Sequence, residues 1–110
     1  MHLKNLPAGM IDWSTMPFET HAGETGSTSM HIANFGDIQM RLVEYSKGYY
    51  AADWCSKGHI IHALEGEFVI DHQDGSRHVV KAGATYHVDD DHTSPHRVTC
   101  KDGAKAFIVE

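Results

Sequence analysis

Between Phe35 and Glu110 the chain is cut again and again by glycine-bearing turn signals, and the stretches between them are too short and too alternating for helices. Ile38, Met40 and Leu42 alternate with Asp37, Gln39 and Arg41. That period of two is the mark of a half-buried strand. Ser46-Lys47-Gly48 ends the run. Glu67 to Asp71 and His78 to Lys81 flank Asp74-Gly75, and Asp-Gly suits the positive φ angles of a tight hairpin turn. Arg97 to Cys100 and Ala104 to Val109 flank Asp102-Gly103 in the same manner. Leu64-Glu65-Gly66-Glu67 and Lys81-Ala82-Gly83-Ala84 supply further breaks. With no convincing amphipathic helix, this spacing predicts an all-β sandwich or barrel over residues 35–110.

Residues 1–34 follow a different regime. They carry Gly, Thr, Ser, Pro and Met without a sustained period and read as an extended N-terminal arm with short strands. Asp12-Trp13-Ser14 and Thr20-His21-Ala22-Gly23-Glu24-Thr25-Gly26 are turn-forming segments around a Trp13 anchor. Trp13 is expected to plug the barrel or a dimer interface. At 110 residues, arm and barrel make one domain.

Charge and cysteine content narrow the function classes. Lys and Arg total only nine, never cluster, and leave a net charge of −6, which argues against a nucleic-acid partner. No apolar run approaches the roughly 18 residues of a membrane span, and Met1 to Pro7 lacks a signal-peptide core. The expectation is a soluble, cytoplasmic protein with no membrane partner. Cys55 and Cys100 do not make a secreted disulfide framework. A reduced pair fits that setting, with a single bridge between them as the alternative.

Ten histidines must be sorted by spacing and neighbours. His2, His21 and His31 fall in the irregular arm, and solvated positions are expected for them. Asp53, Cys55 and His59 share one parity, so on a strand they share one face. If Pro95-His96 lies on a neighbouring strand, a carboxylate, a thiol and two imidazoles converge. Such O, S and N donors suit one divalent transition metal such as Zn²⁺, Fe²⁺ or Ni²⁺. The His59-Ile60-Ile61-His62 spacing mimics a helical zinc pair, but on a strand the two rings point oppositely, and no H-E-x-x-H signature is present. His62, His72 and His78 are therefore read as surface residues, the last two at a hairpin tip. His87 and His92 surround Asp89-Asp90-Asp91 and are candidates for the cavity mouth. Met40, Leu42, Tyr45, Trp54 and Tyr86 are candidates for the cavity wall. Arg41 can hold a carboxylate if it faces inward, but its parity opposes that of Met40 and Leu42, so one of the two assignments must fail.

Residues 53–67 resemble the first motif of the cupins, small double-stranded β-helix barrels of the RmlC-like, jelly-roll type. That motif has His-x-His, then Glu, then a Leu-Glu-Gly-Glu turn, and Leu64-Glu65-Gly66-Glu67 matches the turn. Counting back, His59 stands where cupins have the Glu, and Asp53 and Cys55 stand where they have the two histidines. Residues 83–96 resemble the second motif, from Gly83 to Pro95-His96, and the resemblance implies His96 as the fourth ligand. The resemblance covers about residues 35–110.

The whole chain is similar to a smaller group, the DHCW-motif cupin-fold proteins. The likeness lies in Met1-His2-Leu3-Lys4-Asn5-Leu6-Pro7, Asp12-Trp13-Ser14, Gly23-Glu24-Thr25-Gly26, Val43-Glu44-Tyr45, Trp54-Cys55-Ser56-Lys57-Gly58-His59 and Phe107-Ile108-Val109. Where the group's name suggests Asp-His before Trp-Cys, this chain has Ala52-Asp53-Trp54-Cys55. The resemblance implies a metal-binding barrel, commonly a homodimer, with a small-molecule ligand. Three classes stay open on it: a metal-dependent enzyme on a polar small molecule, a non-catalytic binding or sensor barrel, and a barrel with a structural metal.

Overall fold

The computed structural model describes residues 3–90 and 94–110, and His2 and His92 lie outside them. Seven strands follow a single 3₁₀ turn at Trp13–Thr15: β1 (Glu19–Ala22), β2 (Ser27–Phe35), β3 (Ile38–Tyr50), β4 (His59–His72), β5 (Arg77–Lys81), β6 (Thr85–Val88) and β7 (His96–Val109). The sheet order is β1-β2-β3-β7-β4-β5, with β6 also paired to β4. Every pairing is antiparallel. Among the described residues no helix is long and apolar enough to cross a membrane.

The Asp74-Gly75 hairpin joins β4 to β5 as its sequence requires, with Gly75 at φ 94°. Three other glycine signals turn out to be bends inside long strands. β3 continues through Ser46-Lys47-Gly48, β4 through Gly66, and β7 through Asp102-Gly103. Lys47 faces Asp102 and Gly66 faces Ala104, so three adjacent strands bend at one level. Positive φ at Gly48, Gly66 and Gly103 permits the bends, and only Gly is free of a Cβ penalty there. The expected hairpin at Asp102-Gly103 is thus corrected: both halves of β7 stay between β3 and β4.

At Gly66 the register shifts, and β4 exchanges its buried face. Before the bulge His59, Ile61 and Ala63 are buried; after it Phe68 and Ile70 are. The core gathers these with Val43, Tyr45, Val80, Tyr86, Cys100, Ala106 and Ile108. Each fully buried side chain such as Phe68 or Ile70 contributes roughly 1.5–3 kcal/mol by leaving water.

Within residues 1–34, β2 pairs with β3 along Thr28 to Phe35 and β1 pairs with β2. Trp13 packs on the sheet, its ring 6.3 Å from His31 and 6.4 Å from Phe107. His31 is accordingly not free in solvent as expected. It sits between Trp13 and Phe18, and its Nδ1–H donates to the Pro17 carbonyl at 3.0 Å. His21 is exposed and pairs with Glu19 at 3.0 Å.

Candidate metal centre

The first half of β4 pairs with β6 on one edge and with the last residues of β7 on the other, while His96, at the start of β7, pairs with His72 at the end of β4; the sheet curls so that His59 and His96 nevertheless meet. His59 opens β4 and His96 opens β7; both are buried. Residues 51–58 form a loop, so the parity argument for Asp53 and Cys55 has no strand to act on. Cys55 arrives instead through a backbone bridge: its N–H donates to the His96 carbonyl at 2.7 Å, and the His96 N–H donates to the Cys55 carbonyl at 2.9 Å. The end of the loop is pinned by the Gly58 N–H donating to Asp90 Oδ1, against which a larger residue at 58 would collide.

One donor atom each from Cys55, His59 and His96 lie within 4.8 Å of one another. Cys55 Sγ is 3.4 Å from His59 Nε2. The rings of His59 and His96 meet edge to face at 5.1 Å. Asp53 is not brought into this group; it is exposed and lines the rim of the adjoining cavity.

The environment sets up both imidazoles as lone-pair donors. His96 Nδ1–H donates to the Ser94 carbonyl at 3.0 Å, which leaves Nε2 unprotonated in the neutral ring. That Nε2 is buried and has no hydrogen-bond partner. Burial lowers the His96 pKa, and nearby His59 and His72 lower it further against the opposing effect of the Ser94 carbonyl. His59 Nδ1 lies 2.6 Å from Glu110 Oε2. The two atoms face each other off the line of an ideal hydrogen bond, with the Nδ1 side of the ring turned to the carboxylate and Nε2 turned to Cys55. Arg41 Nη2 reaches the same carboxylate at 3.1 Å and Lys57 Nζ at 3.5 Å. Burial pushes the Glu110 carboxyl up, but His59, Arg41 and Lys57 together outweigh it and hold the pKa at about 2.

These donors line a cavity of about 230 Å³ whose wall includes Met30, Arg41, Val43, Tyr45, Tyr49 and Arg97. Arg41 faces this cavity, so the competing placement of Met40 and Leu42 on its wall fails by strand parity. Met40 lies under the arm beside Trp13, and Leu42 in an outer cleft with Phe18 and His31. Tyr45 is buried in the wall, and desolvation raises its phenol so that it stays protonated. Trp54 stacks on the Arg97 guanidinium at 4.1 Å.

Tyr86 and His87 open on a neighbouring cavity of about 360 Å³ with His72, His78 and Ser94. Tyr86, raised to about 12 by burial and the nearby Cys55, bonds His72 Nε2 at 2.9 Å. Its ring lies 5.8 Å from His96. His72, expected at the surface, is half-buried, with its ring 5.9 Å from His96. His62 bonds Thr85 Oγ1 at 2.8 Å and stays out of the cluster. Both cysteines are free, and Cys100 is core, its thiol raised by burial and directed at the Glu67 carbonyl at 3.5 Å.

Sequence reasoning missed Glu110. The signal lay in the alternation of Ala106, Ile108 and Glu110, which carries one face of β7 past Val109 to a residue whose backbone still pairs with Gln39.

The donor set fits a transition metal: a thiol, the Nε2 atoms of two histidines, one of them without a partner and the other beside the thiol, and a carboxylate behind one ring. In sequence, neither a protein-family model nor a curated protein matches the chain. In structure it is similar to a predicted oxalate decarboxylase of Thermotoga maritima, at 15% identity and TM-score 0.77 over 92% of this chain and 96% of that one. It is also similar to an RmlC-like cupin of Shewanella frigidimarina, at 15% identity and TM-score 0.73 over 96% of this chain and 92% of that one. A third similar structure is Fe(II)-HppE with an alternative substrate, at 13% identity and TM-score 0.74 over 94% of this chain and 60% of that one. Strand order, bends and these likenesses agree: the chain has the cupin fold, an all-β barrel of the RmlC-like type.

Proposed function

We propose that the protein is a small metal-dependent cupin that acts on a polar small molecule, its metal held by Cys55, His59 and His96. One observation carries the reading. The buried, partnerless Nε2 of His96 shares a cavity with Cys55 and with His59, whose Nε2 lies beside the Cys55 sulfur. Three donors leave a tetrahedral ion one open position, the count of a reactive site rather than of a closed structural one. A bound Zn²⁺, Fe²⁺ or Ni²⁺ would supply Lewis-acid polarisation of an oxygen-bearing substrate, with iron adding redox chemistry. Glu110 holds the His59 proton on Nδ1, the Ser94 carbonyl holds the His96 proton on its Nδ1, and the apolar wall of Val43, Ile61, Val98 and Ile108 limits water. The structural likeness to Fe(II)-HppE and to a predicted oxalate decarboxylase supports enzymatic use of such a barrel, while fold alone does not select a reaction. Asp53, at the rim, is proposed as a positioning group for substrate or for the Cys55 loop. We place the chain with the DHCW-motif cupin-fold proteins on its Trp54-Cys55 loop and propose that two copies pair.

The test is elemental analysis of untagged protein purified without chelator, beside folded Cys55→Ser and His59→Ala variants. About one equivalent of a transition metal in wild type, reduced in both variants, is the expected result. Wild type that stays empty after reconstitution with Zn²⁺, Fe²⁺ and Ni²⁺ would overturn the metal reading. Turnover on a substrate panel then separates an enzyme from a binding barrel, in which ligands stabilise without being consumed. Sedimentation of the same samples tests the pairing of copies.

A further inference from the structure

Five buried side-chain atoms lack a hydrogen-bond partner among the described residues: Arg41 Nε, His59 Nδ1, His96 Nε2, Arg97 Nε and Glu110 Oε2. Four of these residues line the same cavity, and the fifth, Glu110, touches Arg41 and His59. Buried N–H groups left without acceptors are rare in folded proteins, so their concentration at one place asks for a ligand. The His96 nitrogen is accounted for by a metal, and the His59 and Glu110 atoms face each other. Two guanidinium N–H donors remain.

We propose that the cavity binds a small carboxylic acid, its carboxylate held by Arg41 and Arg97 and its remaining atoms lying toward Cys55, His59 and His96. This rests on reading the cavity as the site of a polar small molecule and names the class of that molecule. The pairing of the charges supports an anion, although Asp53 also lines the cavity, because no ion pair joins Asp53 to Arg97 among the described residues. Arg41 shares its charge with Glu110, whereas no carboxylate pairs with Arg97 among the described residues. The protein carries a net charge of −6 with only nine Lys and Arg, yet two of the nine line one cavity. Arg97 is also set in position: its guanidinium lies 4.1 Å over Trp54 and 5.3 Å from the Tyr50 ring centroid, and Nη1 donates to the Ala52 carbonyl at 3.3 Å. A guanidinium held in this way presents N–H groups that match a carboxylate better than a neutral acceptor. The two arginines flank the metal residues. Arg41 is joined to His59 through Glu110, and Arg97 lines the cavity that His96 lines. A volume of about 230 Å³, at roughly 30 Å³ for each water displaced, limits the acid to about eight non-hydrogen atoms.

The experiment measures binding of lactate and malonate, each against its neutral amide, to metal-loaded and to chelator-treated protein by calorimetry and thermal shift. Both carboxylates are expected to bind more tightly than their amides, and Arg97→Gln is expected to weaken them about tenfold or more while leaving the metal content unchanged. Arg41→Gln should weaken them similarly. Because Arg41 also touches Glu110, Arg97→Gln, checked for folding by circular dichroism, is the deciding variant. Amides that bind as well as the acids, equal binding of sulfate, failure of both acids at millimolar concentration, or an unchanged dissociation constant in Arg97→Gln would overturn the proposal. Metal content in the same samples keeps the two readings apart. A loaded protein indifferent to carboxylates refutes this inference alone, and carboxylate binding to protein that never takes metal refutes the metal reading alone.

Discussion

His59 and Glu110 meet at 2.6 Å deep in the barrel, the carboxylate on one ring nitrogen and the Cys55 sulfur 3.4 Å from the other. A carboxylate behind a histidine fixes which nitrogen keeps the proton and raises the basicity of the nitrogen that faces the metal. Glu110→Gln keeps the size and removes the charge. It is expected to lower metal affinity by about 10–100-fold without changing the saturating stoichiometry. Competition with a chromophoric chelator measures this, and an unchanged affinity would make the contact incidental to metal binding.

His62 is the internal control for the His59 assignment. It bonds Thr85 at 2.8 Å, away from the cluster. His62→Ala should keep full metal content and lose about 1 kcal/mol of stability from that hydrogen bond. Metal analysis paired with urea unfolding checks both halves, and a metal-depleted His62→Ala protein would contradict the placement of the two rings.

Gly66 and Gly75 both have positive φ, yet they should respond differently to alanine. At Gly75 a Cβ meets nothing within 4 Å, so only the backbone cost of about 1–2 kcal/mol applies. At Gly66 a Cβ would collide with the Gly103 carbonyl oxygen, adding a further roughly 1–3 kcal/mol for the forced shift of β7. Denaturant midpoints of the two variants give the comparison, and equal losses would refute the close approach of the bends.

The hairpin tip carries a local pH signature. Asp74 accepts hydrogen bonds from the Ser76 hydroxyl at 2.7 Å and the Ser76 N–H at 2.8 Å, and these lower its pKa. A carboxylate depressed by folding contributes stability above its unfolded pKa and loses it as pH falls through the folded value. In an NMR titration Asp74 should ionise below the ordinary Asp range, and Ser76→Ala should move it back up. No movement in the variant would refute the cause.

The two Asp-Gly pairs show where the sequence is legible. Both are written alike, and Asp74-Gly75 reverses the chain while Asp102-Gly103 only bends it. Turn and bend need the same positive φ. The choice is made by neighbours distant in sequence, Gly66 and Ser46 to Gly48, which bend alongside. The all-β class survives this misreading because strands alternate whether they are short or long.

At the site, His59 and His96 were visible because each stands at a motif position and opens a strand. Cys55 was visible for an incomplete reason, since a single bridge and not a strand places it. The alternation alone leaves Arg41 between two parities, and its packing beside Glu110 decides which face is inner. Glu110 itself escaped notice because its partners are dozens of residues away and no local spacing announces them.

The reciprocal backbone bonds between Cys55 and His96 mean that the distance between these two candidate ligand positions is set by peptide groups. Side-chain replacement cannot remove them. The frame is therefore separable from the donors it carries, and position 55 can pass from sulfur to nitrogen or oxygen over evolutionary time, altering the preferred ion, while the architecture around it stays in place.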